Sequence, residues 1–309
     1  MGRRRTPAPL RVLKSSARKN ERSASMVERG GPYLPGSESP AVTQMAEMWR
    51  YRGLIGNFAS RELKSKYKHS VLGWTWSLIN PAATLAVYTL VFSTIFRATP
   101  PKAHNGMTTY VIYLFIALVA WNFFSNVVNG SMAALIGAGP LLKKIYFPPY
   151  APVIGNSFSA LVQTFIEAGV LLVVLFGVGN PSWSMLLTPI ILLLLLVFAS
   201  GIGLMFALFN VYYRDVSYLV TIVMQLLFYS TPVIWAPAQL LVRKHGHFAI
   251  EVLSKSPMYQ YVEGFRDALW TGTMPGLSRW LWMVVSAVVS ITVGLFVFNR
   301  GARDVGEEL

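Results

Sequence analysis

Cysteine is absent from the 309 residues. That removes disulfides, thiolate nucleophiles and cysteine-ligated metals from the chemistry open to this chain. Charge is scarce. Asp, Glu, Lys and Arg make up 13% of the sequence, about half the share of a soluble domain. Histidine is confined to His69, His104, His245 and His247, too scattered to build a metal cluster. A nucleotide site is missing as well. The run GAGPLLKK starts on glycine and reaches lysine, but it lacks the Gly-Lys-Ser/Thr ending that cradles phosphate and magnesium. No catalytic group, metal or cofactor is therefore expected on this chain.

Apolar residues are what the sequence has in excess. They form 54% of the chain, with a mean hydropathy of +0.48. One core cannot hide that much apolar surface, so it must be sorted into membrane spans. Six segments qualify, near 74–97, 109–131, 153–178, 183–209, 216–236 and 279–298. Each has the roughly 20 residues needed to cross about 30 Å of hydrocarbon. Trp74, Trp76, Trp183, Trp235, Trp280 and Trp282 fall near span ends, where amphipathic rings favour the headgroup level.

The net charge of +14 is distributed as a membrane protein would have it, and no nucleic-acid partner is expected. With the N-terminus inside, the inner segments hold 20 Lys and Arg against 7 outside. This places both termini in the cytoplasm of a multi-pass inner-membrane protein. Discounting residues 1–40 leaves 11 against 7. Those first 40 residues hold nine Lys or Arg, five Pro and four Gly and read as a disordered basic tail. No apolar stretch follows Arg3, Arg4 and Arg5, so the tail is not a cleaved signal peptide. The expected organisation is tail (1–40), amphipathic interface helix and linker (41–73), six-span domain (74–298) and cytoplasmic C-terminal tail (299–309).

Between Met45 and Lys68 the periodicity is helical. Met45, Met48, Tyr51, Ile55, Phe58 and Ala59 share one face; Arg50, Asn57, Arg61, Lys64 and Lys68 share the other. Such a helix suits a membrane interface. Arg50, Arg61, Lys64, Lys66 and Lys68 are candidates for holding a diphosphate headgroup, with anionic lipid as the competing ligand. The cytoplasmic run LLKKIYFPP offers Lys143 and Lys144 to a soluble partner, and its prolines break the helix; a plain connecting loop is the other reading. Glu167, with Gln163 one turn earlier, is the single carboxylate within the six spans. It suits either a transport path or a helix–helix hydrogen bond. Tyr88, Tyr113, Trp121, Phe124 and Tyr229 are among many aromatics whose faces could meet sugar rings, although packing is the commoner use of any one of them. Between spans 5 and 6, Met258, Tyr261, Phe265 and Leu269 recur at helical spacing, with Pro257 able to open the helix and Gly272 able to close it. That helix either gates an exit or packs statically on the bundle.

Taken in order, RELKSKYKHSVLGWTWSLINP, LLKKIYFPP, NVYYRDVSYLV and FYSTPVIW resemble the membrane subunits of the ATP-binding-cassette polysaccharide exporters, the O-antigen and teichoic-acid exporter permeases. The likeness covers about residues 45–305 and does not reach the first 40. It implies an all-α membrane protein with six transmembrane helices, an N-terminal amphipathic interface helix and re-entrant outer-leaflet gate helices over roughly 238–272. It implies a homodimer working with two copies of a nucleotide-binding ATPase subunit that carries the ATP and Mg. The coupling element would be Leu142, Lys143, Lys144, Tyr146, Phe147 and Pro148. The cargo would be a glycan on polyprenyl diphosphate, and the basic extension points to a cell-wall galactan. Two readings from other classes stand beside it. One is a polytopic glycosyltransferase using a polyprenyl-linked donor; its candidate carboxylates Asp215, Glu251, Glu263 and Asp267 fall on opposite faces of the expected topology. The other is a proton-driven transporter.

Overall fold

Proline marks four of the helix starts. Gly139–Leu142 and Thr188–Tyr212 carry Pro140 and Pro189 in their first turns, and Pro237–Leu241 and Pro257–Arg266 begin on proline itself. There the ring presets φ, and the missing N–H has no helical acceptor to lose. The computed structural model describes residues 50–67, 75–95, 99–145, 147–241, 246–302 and 305–308. All of these belong to the compact unit Ala41–Leu309. The tail 1–40, Trp74, Lys68, Tyr146 and the Lys66 side chain lie outside the described residues.

Every regular element among the described residues is helical. The order is α1 (Arg52–Tyr67), α2 (Trp76–Tyr88), α3 (Tyr110–Gly137), α4 (Gly139–Leu142), α5 (Tyr150–Gly177), α6 (Thr188–Tyr212), α7 (Val216–Ser230), α8 (Pro237–Leu241), α9 (Gly246–Leu253), α10 (Pro257–Arg266), α11 (Leu277–Gly301) and α12 (Val305–Glu308). α2 and α10 each run on as a wider π turn, over Thr89–Ile95 and Asp267–Thr271.

Among the described residues, four helices are long and apolar enough to cross a membrane: α3, α5, α6 with its 3-10 lead-in from Trp183, and α11, at 25 to 30 residues. At 1.5 Å per residue they reach about 38–45 Å, more than the hydrocarbon core requires. α2 with its π turn runs from Trp76 to Ile95, and residues 96–98 after it lie outside the described residues. The fifth expected span comes out shorter. The segment expected to run to 236 stops as helix at Ser230, after about 22 Å. Pro232 cannot continue it, and residues 231–235 form tight turns. The carbonyls released there are re-used: Tyr110 Oη donates to Ile234 O at 2.6 Å and Arg266 Nη2 to Val233 O at 2.9 Å. Non-helical backbone at membrane depth needs such cover.

Small residues set the helix crossings. α6 and α11 make the most extensive pair, and a Cβ on Gly294 would collide with the Gly201 carbonyl. Ser290 Oγ donates to Phe198 O across the same seam at 2.7 Å. Gly203 lies under Ser131 where α6 meets α3, and Gly130 lies under Asn156 where α3 meets α5. In lipid no hydrophobic force drives helices together, so close backbone approach and interhelical hydrogen bonds carry the association. α3 is buried on nearly every side, whereas α11 turns Leu281, Val284, Val285, Val288 and Val289 outward. The chain beyond residue 298, expected as a loose tail, continues α11 to Gly301, and Val305 is buried beside Leu208 and Phe298.

Candidate functional site

The loops gather at two ends. At the first, α1, the α4 turn and the α6–α7 turn meet the end of α11. Phe58 of α1 packs on Phe147, ring centroids 5.4 Å apart, and a Cβ on Gly155 of α5 would sit 2.6 Å from Phe58 Cβ. The face of α1 that the sequence assigned to lipid is therefore covered by α5 at Ile55, Phe58 and Ala59. Arg61 and Lys64 point away from that contact and are exposed, as is Arg50. In the coupling element Lys143 and Lys144 are exposed, while Leu142 and Pro148 are half-buried. Phe147 is buried, so it anchors the loop on α1 and is not a free contact for a partner. The loop NVYYRD owes its shape to Asn210, a residue not singled out from sequence. Its buried Oδ1 accepts from Ser217 N at 3.1 Å and so caps α7. Tyr212 Oη donates to Gly301 O at 2.7 Å and ties the same turn to α11.

At the second end α10 and its π turn form a plug between α3, α6 and α11. Met258, Tyr261, Phe265 and Leu269 are all buried, which selects the packed reading of that face over one open to lipid. Tyr261 Oη donates to Met283 O at 2.8 Å, and its ring stacks on Phe198 at 5.3 Å. Burial pushes its phenol pKa up, so it stays a donor. Burial and the nearby Glu263 carboxylate push Tyr259 up to about 12. Arg266 is buried; it pairs with Glu263 at 2.8 Å and lies 3.8 Å from the centre of the Tyr113 ring. Arg279 pairs with Asp267 and donates to Gln260 Oε1.

Two loops latch the plug. Asn180 Nδ2 donates to Leu269 O and Trp270 O, and its Oδ1 accepts from Asn105 N. Ser182 and Ser184 donate to Gly272 O and Ala268 O, and Trp270 Nε1 donates to Pro101 O at 2.9 Å. Gly272 closes the π turn at φ +68°, a left-handed position that favours glycine. Asn180 and Ser184 also escaped the sequence reading; polar residues at the short break between two expected spans were the available signal.

The aromatics named as a glycan path divide. Tyr113, Trp121 and Phe124 are core residues, held against Trp270, Phe228 and Phe198 respectively. Glu167 is buried, with Gln163 Nε2 3.4 Å from its Oε1. Tyr88 is half-buried against Phe228, and Tyr229 is exposed. On α7 the exposed Tyr218, Thr221, Gln225 and Tyr229 fall within about 80° of arc. Leu219, Val223 and Leu226 occupy the neighbouring sector. The carboxylates that would serve a transferase do not converge. Glu263 and Asp267 are tied in ion pairs at the plug, while Asp215 lies at the other end of α7.

These features define a polytopic membrane protein: long apolar helices, one end with exposed cations, the other latched. The chain belongs to the ABC-2 type transporter family, whose profile matches residues 54–270. It is similar to the O-antigen export system permease protein RfbA of Myxococcus xanthus, at 26% identity over 87% of this chain and all of that protein. It is also similar to the protein of the same name from Klebsiella pneumoniae, at 25% over 80% of this chain and 91% of that one. The polysialic acid transport protein KpsM of Escherichia coli aligns at 21% over 77% of this chain and 90% of that protein.

Proposed function

We propose that this chain is the membrane subunit of an exporter that moves a polysaccharide outward across the cytoplasmic membrane. The cargo rides on a polyprenyl diphosphate, and ATP hydrolysis on a separate subunit, with its Mg, drives the step. The chain acts as a homodimer with two copies of that ATPase, six spans per subunit and both termini in the cytoplasm. The basic end faces inward: Lys143 and Lys144 receive the ATPase, and Arg50, Arg61 and Lys64 attract the diphosphate headgroup or anionic lipid. The latched end faces outward. Its α8–α10 stretch is re-entrant, and the exit opens beside the plug.

The observation that carries this reading is the exposed face of α7. Tyr218, Thr221, Gln225 and Tyr229 set two tyrosines, a hydroxyl and an amide on one exposed stripe, whereas the outward faces of α5 and α11 carry mostly aliphatic side chains with apolar rings such as Phe165 and Phe296. Aromatic rings and amide or hydroxyl donors suit sugar faces and sugar hydroxyls, so this face lines the conduit between two copies. The names of the relatives, O-antigen export permeases and a polysialic acid transport protein, support the cargo class. A cell-wall galactan is the first glycan to test.

The deciding experiment purifies the full chain and asks whether a nucleotide-binding subunit accompanies it. Export is then compared for wild type and the pair Gln225→Leu, Tyr229→Leu. Export should fall while co-purification and melting temperature hold. Sugar transfer by the chain alone, with no ATPase present, would establish the transferase instead.

A further inference from the structure

A slot of about 610 Å³ opens between the second half of α5 and the start of α6. Phe165, Gly169, Leu172, Phe176, Trp183 and Leu192 are among its walls. Phe165, Phe176 and Trp183 are exposed at its mouth, so it opens on the lipid-facing side of the bundle. By bulk volume it could hold about 20 water molecules, but an apolar cavity does not keep water. Thr188 also lines the slot, and its buried Oγ1 has no hydrogen-bond partner. Threonine populates two χ1 wells in a helix, and a change of well exchanges hydroxyl for methyl at the wall.

We propose that this slot is a binding site for one acyl chain of an ester-linked phospholipid. The chain fills the apolar walls, Trp183 marks the headgroup level, and the Thr188 hydroxyl donates to the ester carbonyl at the chain's head. A polyprenyl phosphate fits less well. It has no ester carbonyl next to its chain for the Thr188 hydroxyl to meet. The slot's upper wall is the loop that latches the plug: Ser182 lines the slot and donates to Gly272 O. The bound lipid therefore braces the latched end.

Gly169 supplies the test, because a Cβ there meets nothing within 4 Å, so Gly169→Leu fills the slot without straining the helix. The full chain, purified with its co-purifying subunits, is analysed by native mass spectrometry for retained phospholipid. Wild type should keep phospholipid through detergent washing. Gly169→Leu should lower that retention about tenfold, while Val285→Leu on the exposed face of α11 leaves it unchanged. In reloading with a photoactivatable diazirine phospholipid, labels should fall on Leu172, Phe176 and Leu192. Thr188→Val should abolish a preference for ester over ether lipids without emptying the slot. Equal retention in wild type and Gly169→Leu would overturn the proposal, leaving only annular lipid. Displacement of the phospholipid by an equimolar polyprenyl phosphate would reassign the slot to the cargo's tail. Crosslinks between Trp183 residues of two copies would make it a subunit interface.

Discussion

Lys143, Lys144 and Arg214 stand exposed at one end of the bundle, with no ion-pair partner among the described residues, whereas Arg266 and Arg279 at the other end are held against Glu263 and Asp267. The difference separates two uses of the same chemistry. An exposed cation is a contact offered to something else, whether phosphate, lipid or a protein partner. A buried cation must be neutralised and fully hydrogen-bonded or its desolvation destabilises the fold. Arg266 meets most of that demand with a carboxylate, a carbonyl and a tyrosine face, and only its Nε finds no hydrogen-bond partner among the described residues. The net positive charge counted from sequence therefore understates the asymmetry between the two ends.

The sharpest way to break the comparison is to remove the buried cation. Arg266→Ala leaves Glu263 without its partner and opens a void beside Tyr113. It should cost about 3–5 kcal/mol, read as a loss of folded protein or a large drop in melting temperature in detergent. Arg266→Met, which restores the volume, should cost clearly less. If both variants melt like wild type, the plug is not held by this ion pair.

Next is the seam that carries the plug's neighbours. Gly294→Ala places a methyl against the Gly201 carbonyl and should destabilise by about 1–3 kcal/mol through overpacking. Gly137→Ala, where a Cβ meets nothing within 4 Å, is the matched control and should be neutral or mildly stabilising. Tyr261→Phe removes the hydroxyl that bonds Met283 O and should cost about 1 kcal/mol in thermal or denaturant unfolding. Export kinetics of that variant then separate the two readings of α10. A moving gate would change export rate beyond the effect on stability, and a static plug would not.

At the exposed end stability should hardly respond. Lys143→Glu with Lys144→Glu should leave the melting point within about 0.5 kcal/mol of wild type, while ATPase binding weakens about tenfold and becomes less salt-sensitive. Crosslinking from position 143 should reach the ATPase, whereas position 147, packed on Phe58, should not. The smallest effect belongs to Arg61→Gln and Lys64→Gln. Each should lower affinity for vesicles rich in anionic lipid by about 1 kcal/mol with the fold intact. If stimulation by lipid-linked glycan falls more than basal ATPase activity, these residues hold the diphosphate.

The sequence by itself determined that this is a helical membrane protein and where its long helices lie. Hydropathy over 20-residue stretches reports a requirement set by the bilayer, and proline and tryptophan mark helix starts and interfaces through local effects. The boundaries of α3, α5, α6 with its lead-in, and α11 were legible within a few residues for that reason, except at the C-terminal end of α3, which runs on to Gly137. The end of the fifth apolar segment was misplaced because its apolar run continues past Ser230, where the helix stops. Arg266 and Tyr110, distant in sequence, add long-range bonds to the local ones that make a broken backbone tolerable at 231–236. Tertiary structure alone decided which aromatics pack and which stay exposed. Tyr113, Trp121 and Phe124 have no composition that distinguishes them from Tyr218 or Tyr229. In a lipid-facing chain hydrophobicity does not separate inside from outside, so burial depends on which glycines and serines let neighbouring helices close. The same holds for the cations. A lysine or arginine count gives the side of the membrane, but whether a cation is offered or consumed depends on the carboxylate that folding brings to it.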